Sequence, residues 1–181
     1  MNLANKLTLL RIIMVPIFLV FIYFEGIPYG KEIALIIFIL AALTDKLDGY
    51  IARSRNLITD FGKFMDPLAD KVLTAAALIV LVEFNMVAGW IVIIIIAREF
   101  AVSGLRLIAA SKGSVLAADW WGKVKTVIQF VAIAIGLVAI IYPNNDLLIS
   151  LTNVSMYVAA AITVLSGANY FIKNKNVIKV E

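Results

Sequence analysis

The sequence contains no cysteine and no histidine. Without cysteine, a disulfide framework and thiol chemistry are excluded, and the redox compartment is left open. Without histidine, the usual general base of enzymes is missing, so any proton transfer has to use a carboxylate, a lysine, a tyrosine or metal-bound water. Charged residues make up only 15% of the chain. An ionisable group inside an apolar segment is therefore a candidate functional residue, because burying such a group at membrane depth is costly.

Hydrophobic residues make up 63% of the chain, and its mean hydropathy is +1.01. Soluble domains have about 45–50% apolar residues, so we expect an integral membrane protein. Each apolar run is close to the roughly 20 residues that cross a bilayer; the runs cover residues 7–24, 31–50, 66–84, 88–109, 124–142 and 147–172. The prediction is one all-α domain over residues 1–181 with six transmembrane helices. Gly104, Gly136 and Gly167 are expected to allow close helix packing.

The distribution of basic residues predicts the orientation of these six helices. Fifteen of the 16 Lys and Arg residues fall on the side that holds both termini and the 45–71 region, and only Lys31 falls on the other. Cytoplasmic loops carry the excess of Lys and Arg, so we expect cytoplasmic termini in a multi-pass protein of the cell membrane. The net charge of +4 is scattered along membrane edges, where it meets anionic lipid, and predicts no nucleic-acid partner.

Four aspartates lie at the joint between the second and third apolar runs: Asp45, Asp48, Asp66 and Asp70. Residues three or four positions apart point to the same side of a helix, so the aspartates form two pairs. Two such pairs would repel each other unless cations lay between them. Oxygen ligands suit Mg²⁺ or Mn²⁺. The sequence therefore predicts a site with two metal ions that binds a diphosphate, on the cytoplasmic side.

These aspartates belong to the string D-x2-D-G-x2-A-R-x8-G-x3-D-x3-D, whose eight fixed positions are Asp45, Asp48, Gly49, Ala52, Arg53, Gly62, Asp66 and Asp70. The string resembles the signature of the CDP-alcohol phosphatidyltransferase family at every position and spacing. Further segments are similar to the same family and extend the resemblance over nearly the whole chain: Asn5-Lys6-Leu7-Thr8 with Arg11 and Pro16, Asp66-Pro67-Leu68-Ala69-Asp70-Lys71, Arg98-Glu99, Ser103-Gly104-Leu105-Arg106 and Gly122-Lys123-Val124-Lys125-Thr126.

The resemblance implies a phosphatidyl transfer from CDP-diacylglycerol. It implies that Asp45, Asp48 and Asp66 hold the metal ions, and that Asp70, a fourth ligand, is free enough to accept the proton of the incoming hydroxyl. It also implies a homodimer. A second set of residues is expected to bind the CDP group: Gly49, Ala52, Arg53 and Gly62. The resemblance implies that the cytidine lies against Gly49 and Ala52, and the Arg53 guanidinium suits the diphosphate because it binds phosphate oxygens bidentately.

The segments between residues 98 and 126 are similar to the branch of the family whose acceptor is sn-glycerol 3-phosphate. An acceptor that carries a phosphate needs a basic pocket, and a buried arginine in an apolar stretch seeks a carboxylate or a phosphate. We therefore predict that Arg98, Arg106 and Lys112 bind the acceptor phosphate.

Other functions stay open at this point. The aspartate string is shared by enzymes that use inositol phosphate, serine or phosphatidylglycerol as the acceptor. A membrane prenyltransferase would have a second aspartate-rich motif, whereas the acidic residues after Asp70 are scattered: Glu83, Glu99, Asp119, Asp146 and Glu181. A divalent-cation transporter would need polar groups deep in several spans, and Gly49, Arg53 and Gly62 would then be unexplained.

Overall fold

The computed structural model describes residues 3–54, 60–113, 116 and 119–175; for residues 3–7, 45–54, 60–67 and 70 it describes the backbone only. This part of the chain forms six α-helices and contains no strand. The helices are α1 (Leu3–Tyr23), α2 (Gly30–Ser54), α3 (Asp60–Glu83), α4 (Gly89–Ser111), α5 (Trp120–Ile141) and α6 (Asp146–Lys173). The prediction of an all-α protein with six helices is confirmed.

The helices follow the apolar runs but extend beyond them near the aspartates. The second run ends at residue 50, whereas α2 continues to Ser54; the third begins at residue 66, whereas α3 starts at Asp60. Backbone hydrogen bonds continue a helix whatever the polarity of its side chains. The runs mark the part of each helix that suits hydrocarbon. The eight fixed positions of the aspartate string lie on helical backbone of α2 and α3, at the edge of that part or beyond it.

The helices pack around one main apolar core. Helix α1 contacts α2 and α3, α5 contacts α6 and α2, and α4 contacts α6 and α3. A row of aromatic rings crosses the centre: the ring centroids of Phe18 and Phe38 lie 6.4 Å apart, and those of Phe38 and Phe130 lie 5.7 Å apart. Tilted aromatic pairs at such distances stabilise the fold by more than the burial of their apolar surface alone. This row connects α1, α2 and α5.

Two of the three glycines predicted to permit close helix packing do so. A Cβ atom at Gly136 of α5 would lie 2.7 Å from Leu81 Cδ2 of α3, and one at Gly167 of α6 would lie 3.0 Å from Arg98 Cγ of α4. At Gly104 a Cβ atom would have no neighbour within 4 Å in the part of the chain that the structure describes. The packing prediction is therefore confirmed for Gly136 and Gly167 and wrong for Gly104.

A polar and aromatic cluster ties three helix ends together away from the aspartate motif. The Tyr23 hydroxyl at the end of α1 donates a hydrogen bond to Glu83 Oε2 at the end of α3. The Tyr23 ring stacks on Phe84 with a centroid separation of 6.1 Å, and Lys31 Nζ of α2 lies 5.4 Å from the centroid of Phe84. We call these four residues the Tyr23 cluster. The motif aspartates lie at the other ends of α2 and α3.

Two helices are long and apolar enough to cross a membrane. By length and composition these are α5, with 22 residues, and α6, with 28, among the residues that the structure describes; the apolar part of α1, Thr8–Tyr23, is shorter. Charged residues interrupt α4, where Arg98, Glu99 and Arg106 fall inside one span length. Two such helices in a chain of this composition indicate a membrane protein.

Candidate active site

The backbone brings the two aspartate pairs to the same end of the protein. Asp45 and Asp48 lie in the last third of α2, Asp66 and Asp70 lie in the first half of α3, and residues 55–59 connect the two helices. The helical backbone confirms that each pair falls within about one turn. The side chains themselves lie outside the described part. The metal-binding and CDP-binding roles therefore stay predictions for Asp45, Asp48, Asp66, Asp70, Gly49, Ala52, Arg53 and Gly62.

Immediately after the motif, Lys71 connects α3 to α4. Its Nζ donates a hydrogen bond to Ser103 Oγ. Lys71 follows Asp70 directly in the chain, so this contact fixes the first described residue beyond the motif against the neighbouring helix. The sequence indicated Lys71 and Ser103 only through the family resemblance, because a lysine at the edge of an apolar run is also typical of a membrane anchor.

A chain of three charged groups joins α4 to α5. Arg98 Nη1 lies 3.3 Å from Glu99 Oε1, and Lys125 Nζ donates a hydrogen bond to the same oxygen. The exposed fractions of the three side chains are 13% for Arg98, 20% for Glu99 and 4% for Lys125. The expectation that Arg98 meets a carboxylate or a phosphate is thus confirmed for a carboxylate. Breaking a pair this deeply buried costs far more than breaking a surface pair.

The two predicted acceptor-binding arginines face α6. Arg98 Nη2 donates to Ser166 Oγ at 2.8 Å, and its aliphatic stem crosses α6 at Gly167. Two turns later, Arg106 Nε donates to the Tyr170 hydroxyl at 3.1 Å, with the guanidinium carbon 5.5 Å from the centre of the tyrosine ring. The structure therefore places both arginines on one face of α4.

Lys112 lies apart from these arginines. It is the C-cap residue of α4 and is exposed. At about 1.5 Å per helical residue, it lies roughly 20 Å along the helix axis from Arg98 and about 9 Å from Arg106. Its position therefore groups it with Arg106 and separates it from Arg98.

A small cavity that opens to the protein surface lies between α3, α4 and α5. Its polar lining residues are Lys71, Thr74, Glu99, Lys125, Thr126 and Gln129, and its apolar ones are Ala75, Leu78, Ile95, Ile96, Phe100 and Phe130. The mixture of two lysines, one carboxylate and three uncharged polar groups suits a small, polar, anionic ligand better than a lipid tail. The cavity begins next to Asp70 along α3.

Sequence reasoning did not assign functions to Lys125, Thr74 or Gln129. Lys125 was one of several basic residues on the predicted cytoplasmic side, and sequence alone does not show which face of a helix turns inward. Gln129 did carry a usable signal, since it is the one amide within the apolar run of α5. Its side chain is buried, and polar groups buried at membrane depth tend to be functional.

The end of α5 nearest this site is fixed to the end of α6. Asp119 is the N-cap residue of α5, and its Oδ1 accepts a hydrogen bond from the backbone N–H of Trp120 at 3.0 Å. Its Oδ2 accepts from Asn169 Nδ2 at 2.6 Å, and Lys173 Nζ lies 3.3 Å from the carboxylate. One carboxylate therefore caps one helix and binds two residues of the next.

Comparison with known proteins identifies the family of this chain. The model of the CDP-alcohol phosphatidyltransferase family matches residues 1–165. The chain is 44% identical over 189 aligned positions to the CDP-diacylglycerol–glycerol-3-phosphate 3-phosphatidyltransferase of Bacillus subtilis, with 98% of this chain and 97% of the relative covered.

Two further relatives also align along most of their length. One, from Mycobacterium tuberculosis, is named a probable phosphatidylglycerophosphate synthase and is 41% identical, covering 93% of this chain and 79% of its own. The other, from Rickettsia bellii, has the same name as the Bacillus protein and is 36% identical, covering 94% of this chain and 93% of its own. A family match over most of the chain, with relatives of similar length, leads to one conclusion: this chain belongs to the CDP-alcohol phosphatidyltransferase family.

Proposed function

We propose that the protein is an enzyme that transfers the phosphatidyl group of CDP-diacylglycerol to sn-glycerol 3-phosphate, giving phosphatidylglycerol phosphate and CMP. The observation that carries this proposal is the similarity to relatives named for that reaction, which extends over 98% of the chain in the Bacillus case. All eight fixed positions of the family string are also present. The aspartate string alone leaves the acceptor open, and the whole-chain similarity favours glycerol phosphate.

In this reaction the acceptor hydroxyl attacks the phosphorus that bears the diacylglycerol. A new P–O bond forms to the acceptor, the P–O bond to the CMP leaving group breaks, and CMP departs with the electron pair. Asp70 accepts the proton of the attacking hydroxyl, which is a role open to a carboxylate within hydrogen-bond reach. With no cysteine or histidine in the chain, direct transfer without a covalent enzyme intermediate is the simpler route.

We assign Asp45, Asp48, Asp66 and Asp70 as the ligands of two divalent ions, Mg²⁺ or Mn²⁺. Carboxylate oxygens are the donors that these hard cations prefer, and the helical backbone puts both pairs at one end of α2 and α3. Such ions, when bound, would supply positive charge for the attacking and leaving oxygens of an in-line displacement. Around them, Gly49, Ala52, Arg53 and Gly62 hold the CDP group.

We assign the acceptor phosphate to basic residues of α4: Arg106 and Lys112 would contact it directly, whereas Arg98, roughly 20 Å from Lys112 along the helix axis, would act from the other end of the site. Arg106 has the most suitable environment, because its guanidinium is exposed and held over the Tyr170 ring, which leaves donors available for phosphate oxygens. Arg98 is already bonded to Glu99 and Ser166, so its contribution to the site is partly to fix α4 against α6. The cavity adds Lys71 and Lys125 to this positive end of the protein.

We further propose six transmembrane helices in the plasma membrane, with both termini and the aspartates in the cytoplasm. Fifteen of the 16 basic residues on one side support this orientation. Trp120 and Trp121, exposed at the start of α5, suit the membrane interface on that same side. The diacylglycerol tails of the donor then remain in the bilayer while CMP and the acceptor exchange with water. A homodimer is proposed from the family resemblance.

The test is CMP release by the purified full-length protein in detergent with CDP-diacylglycerol, Mg²⁺ and one acceptor at a time. We expect release with sn-glycerol 3-phosphate and none with inositol phosphate, serine or phosphatidylglycerol. The same protein with Asp70→Asn is the matched control, since it removes one charge and keeps the side-chain shape. Release with a different acceptor would replace the substrate and retain the mechanism.

Absence of release with every acceptor, from protein that elutes as a folded species, would refute the transferase proposal. Uptake of Mn²⁺ by vesicles that contain the protein would then support the rival function, a divalent-cation transporter.

A further inference from the structure

One buried polar group in the cavity between α3, α4 and α5 has an unmet hydrogen bond. Gln129 of α5 is 3% exposed, and its Oε1 atom has no hydrogen-bond partner in the part of the chain that the structure describes. The side chain lines the cavity. A buried amide oxygen without a partner carries a substantial free-energy cost, so such groups in folded proteins usually accept from a ligand or from an ordered water.

The surroundings of Gln129 restrict what that partner is. Lys71 and Lys125 also line the cavity, and their positive charge disfavours a cationic ligand. The carboxylate of Glu99 is bonded to Lys125 and Arg98. What the amide oxygen lacks is a donor, and a neutral hydroxyl provides one without adding positive charge. A hydroxyl is also an acceptor, so it suits either orientation of the amide.

The cavity is also close to the proposed general base. Lys71 follows Asp70 directly in the chain, and Thr74 lies one helical turn beyond Asp70; both line the cavity. An acceptor whose reacting hydroxyl is at Asp70 has its remaining groups within reach of this cavity. The proposed acceptor, glycerol 3-phosphate, carries one hydroxyl that reacts and a second, on the middle carbon, that does not.

We propose that Gln129 is a specificity-determining residue whose amide oxygen accepts a hydrogen bond from the non-reacting hydroxyl of the acceptor. This inference rests on the proposed function and adds to it the recognition of a polyol, as distinct from recognition of the phosphate. Thr126, one turn before Gln129 on α5, lines the same wall of the cavity. Lys71 and Lys125 add positive charge near an anionic acceptor, whose phosphate is assigned to α4, and Gln129 distinguishes acceptors that have the middle hydroxyl from those that lack it.

The experiment compares two acceptors, sn-glycerol 3-phosphate and 3-hydroxypropyl phosphate. The second keeps the phosphate and the primary hydroxyl that reacts, and it lacks only the middle hydroxyl. For the unchanged protein we expect kcat/KM to be about 10- to 100-fold higher with glycerol phosphate, which is the effect of one buried hydrogen bond. For Gln129→Met, which keeps the length of the side chain and removes the amide, we expect kcat/KM for the two acceptors to agree within about threefold.

The loss of kcat/KM for glycerol phosphate in Gln129→Met should appear mainly as a higher KM, because this hydrogen bond is present both in the bound acceptor and in the transition state. Thr163→Val is the matched control. Thr163 is 0% exposed and its hydroxyl oxygen also has no hydrogen-bond partner among the described residues, but it is not part of the cavity lining. We expect that variant to keep the preference for glycerol phosphate. If Gln129→Met is not recovered as a folded protein, Gln129→Asn makes the same comparison by withdrawing the amide from the cavity.

Three outcomes would overturn the proposal. An unchanged protein that uses both acceptors equally well would show that the middle hydroxyl is not recognised. A folded variant that keeps the full preference would show that Gln129 binds an ordered water only. Absence of CMP release with glycerol phosphate from the unchanged protein would refute the proposed function itself, and this inference with it.

Discussion

Replacing Glu99 with glutamine removes the negative charge between Arg98 and Lys125 while keeping the shape of the side chain. Lys125 is 4% exposed at its side chain and Glu99 is 20% exposed, so both belong to a buried pair. Removing one partner of a buried pair costs about 3–5 kcal/mol. Glutamine keeps an oxygen that accepts from Lys125 Nζ, and water reaches part of the site. We therefore expect the lower value, about 3 kcal/mol.

The assay is thermal unfolding of purified Glu99→Gln in detergent, followed by the change in intrinsic fluorescence. For a chain of this size each kcal/mol lowers the unfolding midpoint by about 2–4 °C, so 3 kcal/mol corresponds to roughly 6–12 °C. Glu25→Gln is the matched control, since it removes the same charge from an exposed loop. The double variant Glu99→Gln/Lys125→Met removes both charges of the pair. It should recover part of the lost stability, because replacing both partners of a buried pair is often neutral.

An unfolding midpoint for Glu99→Gln that equals that of Glu25→Gln would refute this reasoning, because it would mean that Lys125 does not depend on the carboxylate. A double variant less stable than Glu99→Gln would show that the lysine has a stabilising role apart from the pair.

Two further predictions concern the aspartates and the packing of α5. In the unchanged protein EDTA should abolish CMP release, and added Mg²⁺ should restore it. Asp70→Asn should abolish release but retain CDP-diacylglycerol binding, measured by equilibrium dialysis, whereas Asp48→Asn should weaken both release and binding. Near-normal turnover of Asp70→Asn would contradict its assignment as the general base. Gly136→Ala should lower the unfolding midpoint, because its Cβ atom would meet the fully buried Leu81 at 2.7 Å and overpacking costs about 1–3 kcal/mol. Gly104→Ala, whose added Cβ atom would meet no described neighbour within 4 Å, should keep the free energy of unfolding or raise it by up to about 1 kcal/mol, the helix-propensity difference between alanine and glycine. Equal effects of the two substitutions on the midpoint would contradict the packing argument.

The number and type of the helices could be predicted because length and hydropathy determine them. Each of the six apolar runs became one helix, and turn residues such as Pro143 and Asn145 separate α5 from α6. The ends of α2 and α3 could not be predicted, because a helix continues through polar residues when its backbone bonds are made. The motif residues Asp48 and Arg53 consequently lie in the last two turns of α2, and Arg53, beyond the apolar run, is still helical.

The surroundings of the basic residues could not be predicted, because hydropathy does not show which face of α4 contacts which neighbour. Arg98 and Arg106 turn towards Ser166 and Tyr170, about 65 residues later in the chain. Such pairings depend on how whole helices pack. Sequence alone does not distinguish Lys125 from a membrane anchor, and its contact with Glu99 of α4 does.

The Tyr23 cluster has a consequence for the biosynthesis of the protein. The hydroxyl of Tyr23 and the carboxylate of Glu83 are 60 residues apart in the chain. A ribosome that adds about 5–20 residues per second makes the second residue roughly 3–12 seconds after the first. At the start of that interval α1 is complete, α2 is synthesised within it, and the contact between Tyr23 and Glu83 forms only after the end of α3 is made. A nascent chain that stops between α2 and α3 therefore contains two helices without the residue that later joins the end of α1 to α3.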